Sequence, residues 1–356
     1  MTCGSDGGGS GEVTGDLREP GDSDRSAEAE RPLIVGFGEA LIRLTASEHR
    51  PLEVASTLTI DVGGAELNTL VALAQLGCRA RWVSRLPLNP FGRRIAGHAR
   101  HHGVELAVAW DSNARAGLYF VEEGTHPRPT EVLYDRAGSA ASRMQPGMFD
   151  WARILHSATA LHCSGITCAF GPDAEGAVLE ALESASAAGA MTSFDVNYRS
   201  RLWGRQAACA AFRRVLPRVD ILFASPFDLA LIAGDTDGST AGGQAEAVRE
   251  EFGLDLVVVR TQLPVGPGTV RVNVEVFGEK GTASGTAHAT VLDAFGAGDV
   301  AVAAFLAALL AQAPLEEAAT AAAKGSAHMY TLPGDTWLRP PVELDADGGP
   351  VGWIHR

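Results

Sequence analysis

Lysine is almost absent from this chain of 356 residues, and Lys280 and Lys324 are the only lysines among its 29 basic residues. Acidic residues number 43, and the formal net charge at neutral pH is −14. Nucleic acids and anionic membranes are bound through basic surfaces, so this balance argues against both as partners. If the substrate is an anion, local arginines must hold it.

Cysteine is also scarce, and its positions follow no pattern. The five cysteines are Cys3, Cys78, Cys163, Cys168 and Cys209. Their number is odd, and no pair has the spacing of a zinc or redox motif. We therefore expect reduced thiols in the protein core.

Long apolar segments are missing too. The longest apolar run, near residues 300–311, is too short to span a bilayer, and no N-terminal apolar segment resembles a signal peptide. We therefore expect a cytoplasmic protein. Its hydrophobic content of 46% is sufficient for a large core.

Two common nucleotide-binding motifs are incomplete or missing. Gly36-Phe37-Gly38 follows an apolar strand, but the third glycine of the dinucleotide fingerprint is absent and no amphipathic helix begins behind it. No stretch has the glycine and lysine pattern of a P-loop. These absences argue against an NAD site and exclude a P-loop enzyme.

Apolar residues are nearly absent from residues 1–30, which cannot offset the entropy cost of ordering and are predicted to form a disordered acidic tail. The tail has eight acids and two arginines, so it contributes −6 of the charge and leaves −8 for the rest. Residues 346–356 are predicted to be a C-terminal extension.

The most informative stretch is residues 291–299, which precede an apolar helix. Small residues there leave backbone N–H groups free at the first helical turn, where hydrogen bonding and the helix dipole favour anions. Asp299, at the end of this stretch, is suited to take a proton from a hydroxyl that attacks phosphate. A glycine-rich turn with an N-capping Asp is the alternative interpretation.

Separated stretches in the same chain order resemble the ribokinase-like (pfkB-type) carbohydrate kinases. These are Gly63-Gly64 with Asn68, residues 81–86 and 89–93, and Gly296-Ala297-Gly298-Asp299. Residues 117–119, 134–141, 194–203 and 331–335 further resemble the 2-keto-3-deoxygluconate kinases of that family. The chain departs from the family at Ala294 and Phe295, where two threonines are usual.

The resemblance implies an α/β fold with a doubly wound, mostly parallel sheet flanked by helices and a small β-sheet lid. Strands and helices alternate from residue 153 onward, as such a sheet requires. We expect the kinase domain to span residues 31–345, with the lid formed by about 42–60 and 105–140. A lid excludes water, which would otherwise hydrolyse ATP.

For catalysis, the resemblance implies that Asp299 is the base and that the turn Gly296, Ala297 and Gly298 holds the phosphoryl group. The implied substrate-binding residues are Gly64, Ala65, Glu66, Leu67, Asn68, Tyr119, Tyr134, Arg136, Arg199 and Asp335. Structural alternatives remain open: Tyr119 as a core residue of the lid, Arg199 as an ion-pair partner of Asp195, and Asp335 as a turn residue.

ATP and Mg²⁺ are the implied cofactors. The expected nucleotide contacts are Asn197, Arg199, Ser225, Gly266, Gly296 and Gly298, and Asp228 is the expected metal residue. Residues 260–266 lack the lysine and first glycine of the family's nucleotide-cradling loop. The Ala-rich helix predicted at 316–329 would contact the adenine ring, or it would only pack in the protein core.

The activity implied is phosphorylation of the primary hydroxyl of 2-keto-3-deoxygluconate. The alternatives are another kinase of this fold, such as a fructokinase or ribokinase, and a nucleotide- or sugar-binding sensor without catalysis. The resemblance also implies a homodimer formed through the lid, since lids in this family often pair.

Overall fold

The computed structural model describes residues 31–124, 127–234 and 240–338. The predicted acidic tail, the C-terminal extension and the predicted end of the kinase domain at residue 345 lie outside the described residues. The strands are β1 (Leu33–Phe37), β2 (Leu41–Ala46), β3 (Leu58–Gly63), β4 (Arg79–Pro87), β5 (Val104–Asp111), β6 (Leu118–Glu122), β7 (Glu131–Asp135), β8 (Ala158–Ser164), β9 (Met191–Asp195), β10 (Ile221–Ala224), β11 (Leu256–Gly266), β12 (Thr269–Gly278) and β13 (Gly281–Thr290).

The helices of the described ranges alternate with these strands. They are α1 (Ala65–Gln75), α2 (Pro90–His101), α3 (Trp151–Ile154), α4 (Gly165–Cys168), α5 (Pro172–Ala187), α6 (Arg205–Val215), α7 (Pro226–Ala233), α8 (Ala241–Phe252), α9 (Ala297–Leu310) and α10 (Leu315–Met329). Single 3₁₀ turns lie at Ser47–His49, Ala141–Arg143 and Leu216–Arg218.

The large sheet of the described chain has nine strands in the order β13-β12-β11-β10-β9-β8-β1-β4-β5. The strands from β11 to β5 are parallel, whereas β12 is antiparallel to both of its neighbours. The strand order reverses between β1 and β8. In open α/β sheets ligands bind beyond the carboxyl ends of the strands near such a reversal. The predicted doubly wound fold is confirmed.

Both faces of the sheet are buried, as the alternation along β1 shows. Leu33, Val35 and Phe37 belong to the apolar core on one face, which also holds α5 and α6. Ile34 points to the other core, together with α1, α9 and α10. After Asp299, helix α9 has apolar residues on every side, as expected for a helix in the centre of this second core.

A separate four-stranded sheet in the described chain has the order β3-β2-β6-β7. The lid prediction was wrong at one boundary, because Val104–Asp111 pairs in parallel with β4 and forms the edge of the large sheet. An edge strand of either sheet shows the same mixture of apolar and polar residues, so sequence periodicity could not distinguish them. The second segment of the small sheet begins at Leu118.

Within the described ranges, no helix is both long and apolar enough to cross a membrane. The four cysteines in these ranges are unpaired thiols, as predicted: Cys163 and Cys168 are buried, and Cys78 and Cys209 are half-buried. Cys3 lies outside the described residues.

Candidate active site

A cleft of about 960 Å³ opens at the carboxyl ends of the large-sheet strands, beneath the small sheet. Its walls come from the ends of β9 and β10, the first turns of α1 and α9, and strands of the small sheet. The predicted site residues that line it are Gly64, Ala65, Asn68, Tyr119, Tyr134, Arg136, Asn197, Arg199, Ser225, Asp228, Gly296, Gly298, Asp299 and Asp335.

Two residues predicted to bind substrate do not reach the cleft. Leu67 is fully buried in the core because α1 turns this position toward the sheet. Glu66 is also buried, and its Oε1 accepts a 2.6 Å hydrogen bond from Ser164 Oγ. The Ala297 side chain is buried as well, but only its backbone N–H was expected to act.

Gly266 is also misplaced in the prediction. Residues 260–266 do not form a loop but continue β11, which pairs with β12 up to Gly266 opposite Thr269. Valine at every second position of β12 favours this hairpin over a loop. Gly268, in the hairpin turn, lines the cleft instead.

Asp299 lies in the first turn of α9 at the floor of the cleft. Burial raises its pKa to about 6, while a hydrogen bond from Asn68 Nδ2 at 2.7 Å opposes that rise. Gly296, in the left-handed region with φ of 73°, reverses the chain directly before the helix. The N–H groups of the first turn have no acceptor within the helix and are available to an anion.

Two arginines face the cleft without a carboxylate partner. Among the described residues, Arg199 and Arg260 form no ion pair, so the alternative pairing of Arg199 with Asp195 is not observed. Both guanidinium groups lower the pKa of Asp299. Arg260 was not predicted as a site residue, because the family's loop has a lysine that this chain lacks. The available signal was an arginine directly after the apolar run of residues 256–259.

Arg260 lies beside the turn at residues 296–298. A Cβ placed on Gly298 would be 3.7 Å from Arg260 Nη2, which shows how closely the guanidinium approaches the start of α9. Its hydrogen-bond partners within the described chain are neutral side chains, and Nη1 is 3.3 Å from the hydroxyl of Tyr330. The positive charge is therefore available to a ligand.

Arg136, in contrast, already has an ionic partner. It forms a buried ion pair with Glu39, whose other carboxylate oxygen accepts a 2.7 Å hydrogen bond from Ser139 Oγ. The guanidinium also lies 5.0 Å from the ring centre of Phe170. Glu39 itself lines the cleft and was missed, although an acid directly after a strand end is a recognisable signal.

Asp335 and Tyr119 form a bonded pair on the wall of the cleft. The Tyr119 hydroxyl donates to Asp335 Oδ2 at 2.6 Å, and Arg43 Nη1 donates to the same oxygen at 2.9 Å. Burial raises the pKa of Asp335, and the charge of Arg43 opposes this. Tyr119 also packs in a small apolar cluster, so its core role and its cleft position are both observed.

Acidic side chains cluster where a metal was predicted. Asp228 Oδ2 accepts a hydrogen bond from Ser225 N at 2.8 Å, and Ser225 Oγ accepts one from Asp228 N at 3.2 Å, so the two residues form a capping box at the start of α7. Ser225 Oγ also donates to Asp228 Oδ2 at 2.6 Å. Burial raises the pKa of Asp195 to about 8, and the charges of Asp228 and Asp299 add to the rise. No group of three potential ligands in the described ranges is close enough to hold a metal by itself.

A family model for pfkB family carbohydrate kinases matches residues 31–336. A 2-dehydro-3-deoxygalactonokinase from Haloferax volcanii is 38% identical over 326 residues, which are 90% of this chain and 98% of the relative. The crystal structure of a 2-dehydro-3-deoxygluconokinase from Thermotoga maritima superposes with a TM-score of 0.83 at 32% identity, covering 87% of this chain and 97% of that one.

A fructokinase from Xylella fastidiosa, solved with bound ATP, shares the fold with a TM-score of 0.68 at 23% identity and covers 85% of this chain and 93% of its own. The family match extends over nearly all the described residues, and the cleft holds the Gly-Ala-Gly-Asp turn on which the resemblance depended. The chain is a carbohydrate kinase of the pfkB family.

Proposed function

We propose that the protein transfers the γ-phosphoryl group of ATP to the primary hydroxyl of a 2-keto-3-deoxy sugar acid. The observation that carries this proposal is that Asp299, in the first turn of α9 with its free amides, lines the same cleft as the unpaired guanidinium of Arg199. Relatives at 38% and 32% identity are named for 2-dehydro-3-deoxygalactonate and 2-dehydro-3-deoxygluconate, which differ in the configuration of one carbon. The second compound is 2-keto-3-deoxygluconate.

In the proposed mechanism Asp299 accepts the proton of the attacking hydroxyl. With a pKa of about 6, its carboxylate is mostly ionised at neutral pH yet is a stronger base than an exposed aspartate. The backbone amides at Gly296, Ala297 and Gly298 face the negative charge of the transferred group. Arg260, beside Gly298, supplies a full positive charge at the same place.

The sugar acid occupies the end of the cleft under the small sheet. Arg199 is free to bind its carboxylate through two parallel hydrogen bonds. Arg136 is held by Glu39 and offers its remaining donors in a fixed direction. Tyr119, Tyr134 and Asp335 line the same end and orient the hydroxyl groups.

ATP occupies the end of the cleft between the large sheet and α10. Val258, Val274, Val302 and Ala322 line that end, and such small apolar surfaces suit an adenine ring. Ala322 lies on the Ala-rich helix that the sequence indicated for this role. ATP bound to a fructokinase of the same fold supports this assignment.

The residues present fit a magnesium ion held mainly through water and phosphate. Asp228 and Asp195 face the cleft. Burial is the main cause of the raised pKa of Asp195, and the repulsion from Asp228 that adds to it is the kind that a divalent cation relieves. When bound, Mg²⁺ neutralises charge on the β- and γ-phosphates. The use of ATP also supports a cytoplasmic location.

A second copy of the chain would cover the outer face of the small sheet. Ile60, Leu44, Phe120 and Leu133 are paired side by side across the four strands and form an apolar row. Ile60 is 40% exposed and Leu133 is 50% exposed. Such a row supports a homodimer through this face. Light scattering of the wild type and of Leu133→Asp tests it: the wild type should be dimeric and the variant monomeric, whereas a monomeric wild type contradicts the proposal.

Release of ADP with a panel of sugars tests the proposed activity. The purified protein should turn over 2-keto-3-deoxygluconate or 2-keto-3-deoxygalactonate with a kcat/KM at least about 10-fold above that for fructose or ribose, because a buried carboxylate contact contributes that much. Faster turnover of a neutral sugar would favour a fructokinase or ribokinase. Thermal stabilisation by both ligands without ADP release would favour a non-catalytic sensor.

A further inference from the structure

Arg43 is a fully buried arginine on strand β2, on the face of the small sheet that points toward the cleft. Its side chain does not line the cleft but lies directly behind the wall. Nη1 donates to Asp335 Oδ2 at 2.9 Å, and Nη2 donates to Asp293 Oδ2 at 2.9 Å. Nε donates to Thr45 Oγ1 at 2.8 Å, so all three guanidinium nitrogens are used.

The two carboxylates belong to the two chain segments that build the catalytic end of the cleft. Asp293 begins the turn that leads into α9, and its Oδ1 accepts a 3.1 Å hydrogen bond from Phe295 N. Its Oδ2 also accepts from Gly334 N at 2.9 Å, next to Asp335. Cζ of Arg43 lies 4.4 Å from the ring centre of Phe295. One guanidinium thus fixes both segments against the small sheet.

We propose that Arg43 is a positioning residue for phosphoryl transfer. It holds the anion-binding turn at residues 293–298 in a fixed position relative to the small sheet. This inference rests on the kinase activity but not on which sugar is phosphorylated. Arg43 touches neither substrate in the arrangement described, so its effect passes through Asp293, Phe295 and Asp335.

The physical basis is charge balance together with geometry. Without the guanidinium, two buried carboxylates would face each other uncompensated, and they could relax only by moving apart or by taking up protons. Either change shifts the amides that must meet the transferred group. Displacements of about 1 Å at such positions cost about 10²-fold in rate. The planar fork of arginine bonds both acids at once, which the single ammonium of lysine cannot reproduce.

Three variants of the full-length protein test the proposal. Arg43→Ala removes the guanidinium group with its hydrogen bonds to both acids, and Arg43→Lys retains only a point charge. Arg85→Ala is the matched control, because Arg85 Nη2 binds the buried Asp111 at 2.6 Å across β4 and β5, away from the cleft. The measurements are kcat and KM for ATP with the sugar acid that the wild type uses best, with and without guanidinium chloride. Hydrogen–deuterium exchange of residues 293–298 is recorded in parallel.

Arg43→Ala should lower kcat by about 30- to 300-fold while KM for ATP stays within about threefold, since the turn acts mainly in the transition state. Guanidinium at about 20 mM should raise kcat of Arg43→Ala at least about 10-fold by occupying the site of the missing side chain. It should not raise kcat of Arg85→Ala. Exchange at residues 293–298 should be faster than in the wild type and should slow when guanidinium is added.

If kcat of Arg43→Ala is within about threefold of wild type, the proposal is overturned. It is also overturned if guanidinium does not restore the lost kcat and Arg85→Ala loses as much. If Arg43→Ala does not fold, Arg43→Lys decides: wild-type kcat and wild-type exchange at residues 293–298 overturn the proposal, and a loss of about 10-fold with faster exchange supports it. The exchange measurement needs no substrate, so a wrong sugar assignment would leave it valid.

Discussion

The side-chain amide of Asn68 donates a 2.7 Å hydrogen bond to the carboxylate of Asp299 and joins the first turn of α1 to the first turn of α9. This bond stabilises the ionised carboxylate, while burial and the charge of Asp335 disfavour it. The two opposing effects leave a base that is ionised at neutral pH and still retains affinity for a proton.

Replacement of Asp299 by asparagine should remove the base while preserving the shape of the turn. We expect Asp299→Asn to lower kcat by about 10²- to 10⁴-fold, the usual effect of losing a general base. The dissociation constant for ATP, measured by calorimetry, should change little. Activity within a few-fold of wild type would show that another group takes the proton.

The pH dependence of kcat/KM should show an acidic limb. Because the base must be ionised, activity should fall as the pH decreases through about 6, the pKa of Asp299. Asn68→Ala removes a hydrogen bond to the charged form and should move this limb upward by about one pH unit. The position of the limb is the test, since Asn68 also lines the cleft and its loss will lower the plateau. If the acidic limb of Asn68→Ala lies at the same pH as in wild type, a group other than Asp299 causes the loss of activity.

Replacing Arg199 and replacing Arg136 should have different effects on substrate choice. Arg199→Ala should lower kcat/KM for the sugar acid by about 10- to 100-fold, the effect of losing a charge-assisted hydrogen bond to a buried anion. Turnover of fructose, compared in the same preparations, should fall much less.

For Arg136→Ala, the expectation is more complex because the substitution also leaves the buried carboxylate of Glu39 without its partner. The double variant Glu39→Gln/Arg136→Ala separates the two effects. If the ratio of sugar acid to fructose turnover is normal in the double variant but reduced in Arg199→Ala, the carboxylate is held by Arg199. If the ratio of sugar acid to fructose turnover is unchanged in every variant, neither arginine binds the carboxylate.

Glu66 should make the stability of the protein depend on pH. Burial raises the pKa of Glu66 to about 7 from a usual value of 4.5, so the folded state binds this proton more tightly than the unfolded state. The free energy of unfolding should therefore decrease as the pH rises from about 4.5 to about 7, by at most about 3 kcal/mol from this group.

Glu66→Gln cannot lose a proton and should escape that decrease. Urea unfolding should find the variant more stable than wild type at pH 8, with the difference smaller at pH 5. Asp195 and Asp299 titrate in both proteins, so the comparison isolates Glu66. If the difference in unfolding free energy between Glu66→Gln and wild type is the same at both pH values, Glu66 is not the group that takes up the proton.

Local features of this protein could be predicted from its sequence. The turn at Gly296 and the position of Asp299 follow from a few contiguous residues before an apolar helix, and the structure places both in the cleft. The apolar runs that form β8 to β10 are similarly local, because burial on both faces requires continuous hydrophobic residues.

The role of Arg43 could not be predicted in this way. In β2 it alternates with Ile42 and Leu44, a pattern that indicates a polar residue on a solvent-exposed face. The opposite arrangement occurs here: Arg43 is buried, whereas the apolar face that carries Leu44 includes the exposed Ile60. Sequence periodicity shows that two faces differ but not which one the rest of the protein covers.

The ion pair between Arg43 and Asp335 joins residues 292 positions apart. During synthesis the chain emerges N-terminal end first, and β13, the last strand of the described residues, ends at Thr290, well before Asp335 leaves the ribosome. The thirteen described strands are therefore available before the carboxylate that pairs with Arg43. A contact of such long sequence separation closes late. Catalytic competence is accordingly among the last properties that the nascent chain acquires, after its sheets can already have formed.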